Sequence, residues 1–379
     1  MQLRDLSTVL AAPGPFVTVL VGAESAVEQA ADRYEAAWRA AVQQLEQQGV
    51  SASVRDAVFA ARGEHSDGEA RLVVARVEDG TVLVSEPVST RPPTDTVAVG
   101  PLPDLLPLVS DVTSQVPHVV VHADRTGADV EAFYDSGRSA DEVTVKGRTL
   151  HLKKVAGGGW AHLHYQHRAE NQWRENAKEI RETVVDLAGQ VGAEVIVGVG
   201  DERELAYVKE GLTQPWDTRW VEVPGGRGQD GSEQRVAQLV RDTVALHTAS
   251  GTLDVLAEYA QERGQDKRAC DGVEAVVEAL RKAQVQTLLV TTDADQGSTL
   301  FFGEDAAQVG LTRADVEALG AATVTEGPLV SVLLRAALAT AADVQLVPHQ
   351  SEQAPHQGVG AILRYADSGA DDSTPASGA

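Results

Sequence analysis

The chain has almost no cysteine and no long apolar run. Cys270 is the only cysteine in 379 residues, which excludes a disulfide framework or a cysteine metal site within one chain. No apolar run approaches the roughly 18 residues of a membrane-spanning helix. The N-terminus also lacks the basic region and apolar core that are typical of a signal peptide. These absences predict a cytoplasmic protein without membrane contact.

Positive charge is also scarce. The 32 lysines and arginines face 56 aspartates and glutamates, so the formal net charge is −24. Such acidity favours solubility and opposes indiscriminate binding to nucleic acid. Any contact with RNA must therefore be confined to a local surface.

One segment departs from this acidity, because residues 144–168 contain no carboxylate. Its basic residues and histidines are Lys146, Arg148, Lys153, Lys154, Arg168, His151, His162, His164 and His167. At its centre Gly157, Gly158 and Gly159 precede Trp160. Glycines allow a close approach of the backbone, and an aromatic ring beside basic residues can stack on an RNA base. The pattern predicts a local contact with a polyanion.

Other chemistry fits this segment less well. The glycines lack the Gly-Lys-Ser/Thr of a P-loop and the spacing of a dinucleotide fingerprint, so no nucleotide cofactor is predicted. On a helix only His164 shares a face with His167 or Arg168, and no nearby residues complete a tetrahedral zinc site. The sequence predicts no metal, no cofactor and no catalytic residue. A glycine loop without a special role stays as the alternative.

Alternating strand and helix patterns predict an α/β fold with three domains. The predicted boundaries are 1–117 for an N-terminal α/β domain, 118–266 for a mixed-sheet middle domain, 267–365 for an α/β/α C-terminal domain, and 366–379 for a disordered tail. The predicted middle-domain elements are strands at His118–Asp124, Gly127–Tyr134, Thr149–Val155, Glu194–Val199 and Trp220–Val223, helices at Ala161–Gln190, Glu202–Glu210 and Ser232–Thr248, and a polar connector at Glu262–Asp266.

Three stretches carry a resemblance to a known superfamily. Gly158–Arg168 resembles the Gly-Gly-Gln loop and following helix of the archaeal–eukaryotic class-1 release factors. His118–Tyr134 looks like the start of their middle domain, and Gly272–Val290 resembles the opening of their C-terminal domain, which is related to ribosomal protein L7Ae. The chain is most similar to the bacterial branch of this release factor and Pelota superfamily, the Balon-like ribosome hibernation factors of actinobacterial type. The resemblance is strongest in residues 118–210 and weak in 1–117.

The resemblance implies a ribosomal role with altered chemistry. In release factors the loop glutamine helps to place the water that hydrolyses peptidyl-tRNA, and Trp160 occupies the aligned position here. An indole has one donor and no acceptor, and its bulk excludes a water molecule. The implied function is occupation of the A site of idle or stalled ribosomes without peptide release. The alternatives are a peptidyl-tRNA hydrolase or rescue enzyme, and an acidic adaptor that binds only protein.

The same resemblance implies the contacts. The expected partners are ribosomal RNA of the A site and the peptidyl transferase centre and, through the C-terminal domain, the stalk base or a translational GTPase such as elongation factor Tu. The expected RNA-binding residues are Lys153, Lys154, Gly157, Gly158, Gly159, Trp160, His164, Arg168, Arg174, Lys178 and Arg181.

Overall fold

The computed structural model describes most of the chain as mixed α/β structure, which confirms the predicted fold class. The residues it describes are 3–12, 14–22, 30–64, 70–88, 95–114, 116–124, 127–134, 139–146, 160–225, 233–265, 268–291, 294, 297–348, 351 and 353–366, with helical backbone alone for 3–5, 160–172 and 233. The chain divides into two compact units, one formed by residues 1–113 with 252–379 and the other by residues 114–251. The three-domain division stays a prediction.

The N-terminal part of the first unit is a four-stranded antiparallel sheet with helices on both faces. Its elements are α1 (Leu3–Ala11), β1 (Phe16–Gly22), α2 (Ala30–Gln47), α3 (Ala52–Ala60), β2 (Ala70–Arg76), β3 (Val82–Val88), β4 (Thr96–Gly100) and α4 (Leu106–Thr113). The strand order is β3-β2-β1-β4. The turn between β2 and β3 contains Asp79 and Gly80, and Gly80 has a φ of +73° that glycine adopts without strain.

The second unit is a five-stranded mixed sheet between helices. Its elements are β5 (His118–Asp124), β6 (Gly127–Phe133), β7 (Ser139–Lys146), α5 (Trp160–Val191), β8 (Val195–Gly200), α6 (Glu202–Lys209), β9 (Trp220–Pro224) and the first part of α7 (Glu233–Gly264). The order is β7-β6-β5-β8-β9, with β5, β8 and β9 parallel and β6 antiparallel to both of its neighbours. Helices α5 and α6 cover one face, and α7 covers the other through Val236 and Val244.

The apolar spacing of α5 explains how this helix is fixed to the sheet. Ala177, Ile180, Val184 and Leu187 recur at intervals of three or four and are all buried, because residues at this spacing share one face of a helix. They pack on the inward side chains of β5 and β6. The predicted helix is confirmed.

The predicted strand Thr149–Val155 lies outside the described residues and stays a prediction. Two other features of this region differ from the prediction, because the edge strand β7 was not predicted and helix α7 is longer than expected. Most side chains of β7 are exposed, and Ala140, Val143 and Val145 pack only partly buried against the core, so its apolar signal is weak and backbone pairing with β6 helps to hold it. Helix α7 also runs past Thr248 to Gly264, so the predicted connector Glu262–Asp266 is helical up to Gly264. The extension is stabilised by burial of Leu256 and Tyr259.

The C-terminal part of the first unit contains two small sheets. Its elements after α7 are β10 (Ala269–Asp271), α8 (Val273–Arg281), β11 (Val285–Thr291), β12 (Thr299–Phe302), β13 (Val309–Gly310), α9 (Arg313–Ala318), β14 (Thr325–Pro328), α10 (Leu329–Ala339), β15 (Asp343–Val347), a 3₁₀ turn (His356–Gly358) and β16 (Val359–Leu363). The sheet orders are β10-β16-β11-β15 and β13-β12-β14. Apolar residues of α1 and α4 share one core with those of α8 and α10.

Within the described part of the chain, no helix combines the length and apolar character needed to cross a membrane.

Candidate nucleic-acid interface

The acid-free segment, residues 144–168, begins at one edge of the middle sheet and continues into α5. Strands β5, β8 and β9 are parallel and end at Asp124, Gly200 and Pro224. Strand β7 runs in the same direction and ends at Lys146, which pairs with Gly127 at the start of β6. Residues 147–159 therefore connect this carboxyl edge to α5. Ligand-binding segments of open α/β sheets commonly lie at this edge.

Helix α5 is much longer than the strands that it covers. Its 32 residues span about 48 Å at about 1.5 Å per residue, whereas the seven residues of β5 span roughly 23 Å. The first α5 side chain described at the sheet edge is that of Trp173, which lines a crevice together with Ala123 and Asp124 at the end of β5. Residues 160–172 precede Trp173 and add about 20 Å of helix. Trp160 is the first residue of this helical extension.

A small crevice lies where α5 meets the end of β5 and α6. Trp173, Asn176, Glu204 and Tyr207 contribute to its lining, and its volume is about 20 Å³. A cavity of this size holds a single water molecule. The crevice is therefore part of the packing between helices and is too small for a nucleotide or a substrate.

Two of the three predicted cations that follow the extension face solvent. Arg174 is exposed, and its guanidinium carbon lies 5.8 Å from the centre of the Tyr207 ring. Lys178 is exposed and pairs with Glu182, with Nζ and Oε1 3.8 Å apart. Such an exposed pair contributes little to stability. Both side chains can therefore reach a phosphate without breaking up the core.

Arg181 has a different role in the described structure. Its half-buried guanidinium donates through Nη1 to the backbone oxygens of Tyr207 and Val208, at 3.4 and 3.5 Å. These carbonyls lie in the last turn of α6, where backbone acceptors lack helical partners. Gly211 leaves room for the group, because a Cβ there would lie 2.0 Å from Nη1. Arg181 thus links α5 to α6 through these hydrogen bonds.

We expect Arg181→Ala to lower the free energy of unfolding by about 1 kcal/mol, because two backbone acceptors lose a charged donor. Lys178→Ala is the matched control on the same helix and should change stability by less than about 0.5 kcal/mol. Urea unfolding followed by circular dichroism measures both values. Equal stability of the two variants would show that the Arg181 contacts are energetically unimportant.

Carboxylates limit the positive charge along the rest of α5. Glu175, Glu179, Glu182 and Asp186 are all exposed beside the basic row. Because exposed opposite charges at this spacing screen one another, the later turns of α5 carry little net positive field. The positive charge that no carboxylate offsets is thus concentrated in the acid-free segment, which precedes these turns.

The other predicted RNA-binding residues lie at or before the helical extension. Lys153, Lys154 and Gly157–Gly159 fall outside the described residues. Trp160, His164 and Arg168 lie on the described backbone of α5, at four-residue intervals.

The thiol of Cys270 is poorly suited to act as a nucleophile. Cys270 is half-buried in β10, and burial raises the pKa of its thiol to about 12. The reactive thiolate is therefore almost absent at neutral pH. Among the residues that the structure describes, no group of three or more His, Cys, Asp or Glu side chains is placed to hold a metal ion.

Comparison with known families identifies the middle domain. Residues 117–265 match the model of the family described as bacterial archaeo-eukaryotic release factor family 2. This region therefore belongs to the bacterial branch of the release factor superfamily, as the sequence predicts. The match covers the five-stranded sheet, both ends of the acid-free segment and all of α7.

Relatives of similar length extend the likeness to the whole chain. An uncharacterized protein of Mycobacterium tuberculosis strain H37Rv is 25% identical over 369 residues, which cover 97% of each chain. Its counterpart in strain CDC 1551 shows the same identity and coverage.

Among solved structures, the likeness is loose. Pelota of Archaeoglobus fulgidus is 11% identical, covers 97% of this chain and 92% of its own, and has a TM-score of 0.35. Dom34 of S. cerevisiae is 12% identical, covers 79% of this chain and 80% of its own, and has a TM-score of 0.39.

Proposed function

We propose that this chain is a ribosome-binding translation factor that occupies the A site of idle or stalled ribosomes and does not release the peptide. The observation that carries the proposal is the acid-free segment of a release-factor-family middle domain, which starts at the carboxyl edge of the sheet and continues into the helical extension. Ribosomal RNA is a polyanion in which such a segment can form phosphate contacts.

The geometry supports an extended contact. About 20 Å of helix separates Trp160 from Trp173 at the sheet edge, so the glycine loop can enter a narrow channel while the sheet stays outside it. Lys153, Lys154, His164 and Arg168 would bind phosphates near the tip, with Arg174 and Lys178 behind them. Gly157, Gly158 and Gly159 would let the backbone approach RNA closely.

Trp160 supports binding without hydrolysis. An indole can stack on a base, but it offers no acceptor and would displace the water that hydrolysis requires. The outcome that follows is protection of idle ribosomes during stress or stationary phase. By the same resemblance, a translational GTPase such as elongation factor Tu is the expected partner for delivery, and the location is cytoplasmic.

Competition with puromycin tests the proposed site. Puromycin accepts the peptide in the A-site half of the peptidyl transferase centre, so the bound chain should slow the reaction of ribosomes that carry peptidyl-tRNA. We expect near-complete inhibition at saturating protein. Unchanged puromycin reactivity on ribosomes that retain the chain after sedimentation would place it elsewhere and contradict the proposal.

A further inference from the structure

A cavity of about 400 Å³ lies in the unit formed by residues 1–113 and 252–379. One wall comes from β1, β4 and the segment before α4, and the other from Ala294, Gly297, Ser298 and the start of α10. Its volume falls in the range of small-molecule sites, about 300–1,000 Å³. Protein interiors are close-packed and leave few spaces of this size. The cavity is remote in sequence from the acid-free segment and has no part in the proposed RNA contact.

The composition of the walls restricts the class of ligand. Most of the lining is apolar and includes Val99, Leu102 and Leu329. Among the described residues that line it, Asp104 is the only ionisable side chain, and none is basic. A phosphate or carboxylate would thus face a like charge in apolar surroundings without a cation to offset it. Nucleotides and organic acids are therefore poor candidates.

Asp104 is held in place with spare hydrogen-bonding capacity. Its backbone N–H donates to Thr18 Oγ1 at 3.3 Å, and its Oδ1 accepts from the Leu106 N–H at 3.1 Å. Burial raises the pKa of its carboxyl group. Within the described part of the chain, Oδ2 has no hydrogen-bond partner. A partly desolvated carboxylate of this kind is stabilised by a charged donor.

Ser331 supplies a second polar group to the cavity. It lies in the first turn of α10 and is only 5% exposed. The nearby Leu329 N–H is already bound to the Ser298 carbonyl oxygen at 3.0 Å. The Ser331 hydroxyl has no hydrogen-bond partner among the described residues and is open to the space of the cavity. Its position in the lining points to a polar atom of a ligand.

We propose that this cavity binds a small organic amine with an apolar body. The ammonium group would pair with Asp104, the body would lie against the apolar walls, and a ligand N–H would donate to the Ser331 hydroxyl. Removal of apolar ligand surface from water supplies most of the affinity, and Asp104 selects for positive charge.

Titration calorimetry of the full-length chain with tryptamine tests the proposal. This probe carries an ethylammonium arm and an N–H on an indole ring. We expect tryptamine to bind the wild type, and Asp104→Asn to weaken its binding by roughly tenfold, because an opposite charge in apolar surroundings is lost. Ser331→Ala should weaken binding by about threefold. Asp343→Asn is the control, since Asp343 is an exposed carboxylate on β15, and it should bind tryptamine as the wild type does.

A second ligand in the same titration tests the requirement for positive charge. Indole-3-propionate has a similar body with the opposite charge and should not bind. A lack of tryptamine binding by the wild type, or equal binding by wild type and Asp104→Asn, would overturn the proposal and indicate a hydrated cleft. Loss of folding does not explain the expected result if Asp104→Asn unfolds at or above the wild-type temperature at pH 7. That outcome is expected, because burial raises the pKa of Asp104. Such a carboxyl group destabilises the folded protein at a pH above its unfolded pKa, and asparagine removes that charge.

Discussion

Replacement of Lys153 and Lys154 by glutamate should weaken binding to bacterial ribosomes on the order of a hundredfold at physiological salt. Each lysine–phosphate contact contributes counterion release to the affinity, and charge reversal replaces attraction by repulsion. The neighbouring chain supplies little compensation, because residues 144–168 hold only five basic residues and the protein as a whole carries a net charge of −24. The binding of this acidic protein to RNA should thus depend on few side chains.

Co-sedimentation with ribosomes across a potassium chloride series measures this effect. The wild-type logarithm of affinity should fall linearly with the logarithm of salt concentration, and the double variant should show a slope smaller by about two. Arg39→Glu with Lys282→Glu is the matched control, because it makes the same change in net charge on exposed side chains outside the middle unit. Equal losses in both double variants would attribute the effect to overall charge and contradict the assigned interface.

The wild-type chain should leave ribosome-bound peptidyl-tRNA intact. By the resemblance to release factors, Trp160 takes the place of the glutamine that helps to position water, and an indole would provide neither the acceptor nor the space. We expect the rate of peptide release in the presence of saturating chain to equal the rate of spontaneous hydrolysis. The peptide should stay on the tRNA while the chain stays on the ribosome.

A purified release assay with radiolabelled peptide tests this expectation. A class-1 release factor on ribosomes with a stop codon serves as the positive control, and sedimentation of the same sample shows that the chain is bound. Trp160→Gln should still bind ribosomes. It tests whether the glutamine of release factors is sufficient by itself to restore peptide release. Release by the wild type that is lost in Trp160→Ala would instead support the peptidyl-tRNA hydrolase alternative.

Local patterns determined most of the middle fold. Strands β5 and β8 are short, buried apolar runs, and the described part of α5 has its core residues at helical spacing, so these elements follow from local sequence pattern. In each case the signal lies in adjacent residues.

The missed features depend on partners distant in sequence. Most side chains of strand β7 are exposed, and the strand depends on the hydrogen-bonding edge that β6 offers. Helix α7 passes through Ser250 and Gly251, which usually mark a helix end, because Leu256 and Tyr259 are buried further along. Tertiary burial of this kind overrides local propensity.

The candidate interface likewise combines features that are visible in the local sequence with features that depend on distant packing. The absence of acid around Gly157–Trp160 is visible in the sequence, and so is the start of a helix. The spacing of Arg174, Lys178 and Arg181 suggests three equivalent phosphate contacts, yet Arg181 hydrogen-bonds the last turn of α6. Only the packing of α5 against α6 separates this residue from the two exposed ones.

The most direct test is a structure of the full-length chain bound to a bacterial ribosome that carries peptidyl-tRNA in the P site. The account predicts density for the middle domain in the A site, with Gly157–Trp160 at the peptidyl transferase centre, Lys153 and Lys154 against rRNA phosphates, and an intact peptidyl ester. A chain bound outside the A site, or a loop that does not touch the peptidyl transferase centre, would contradict it.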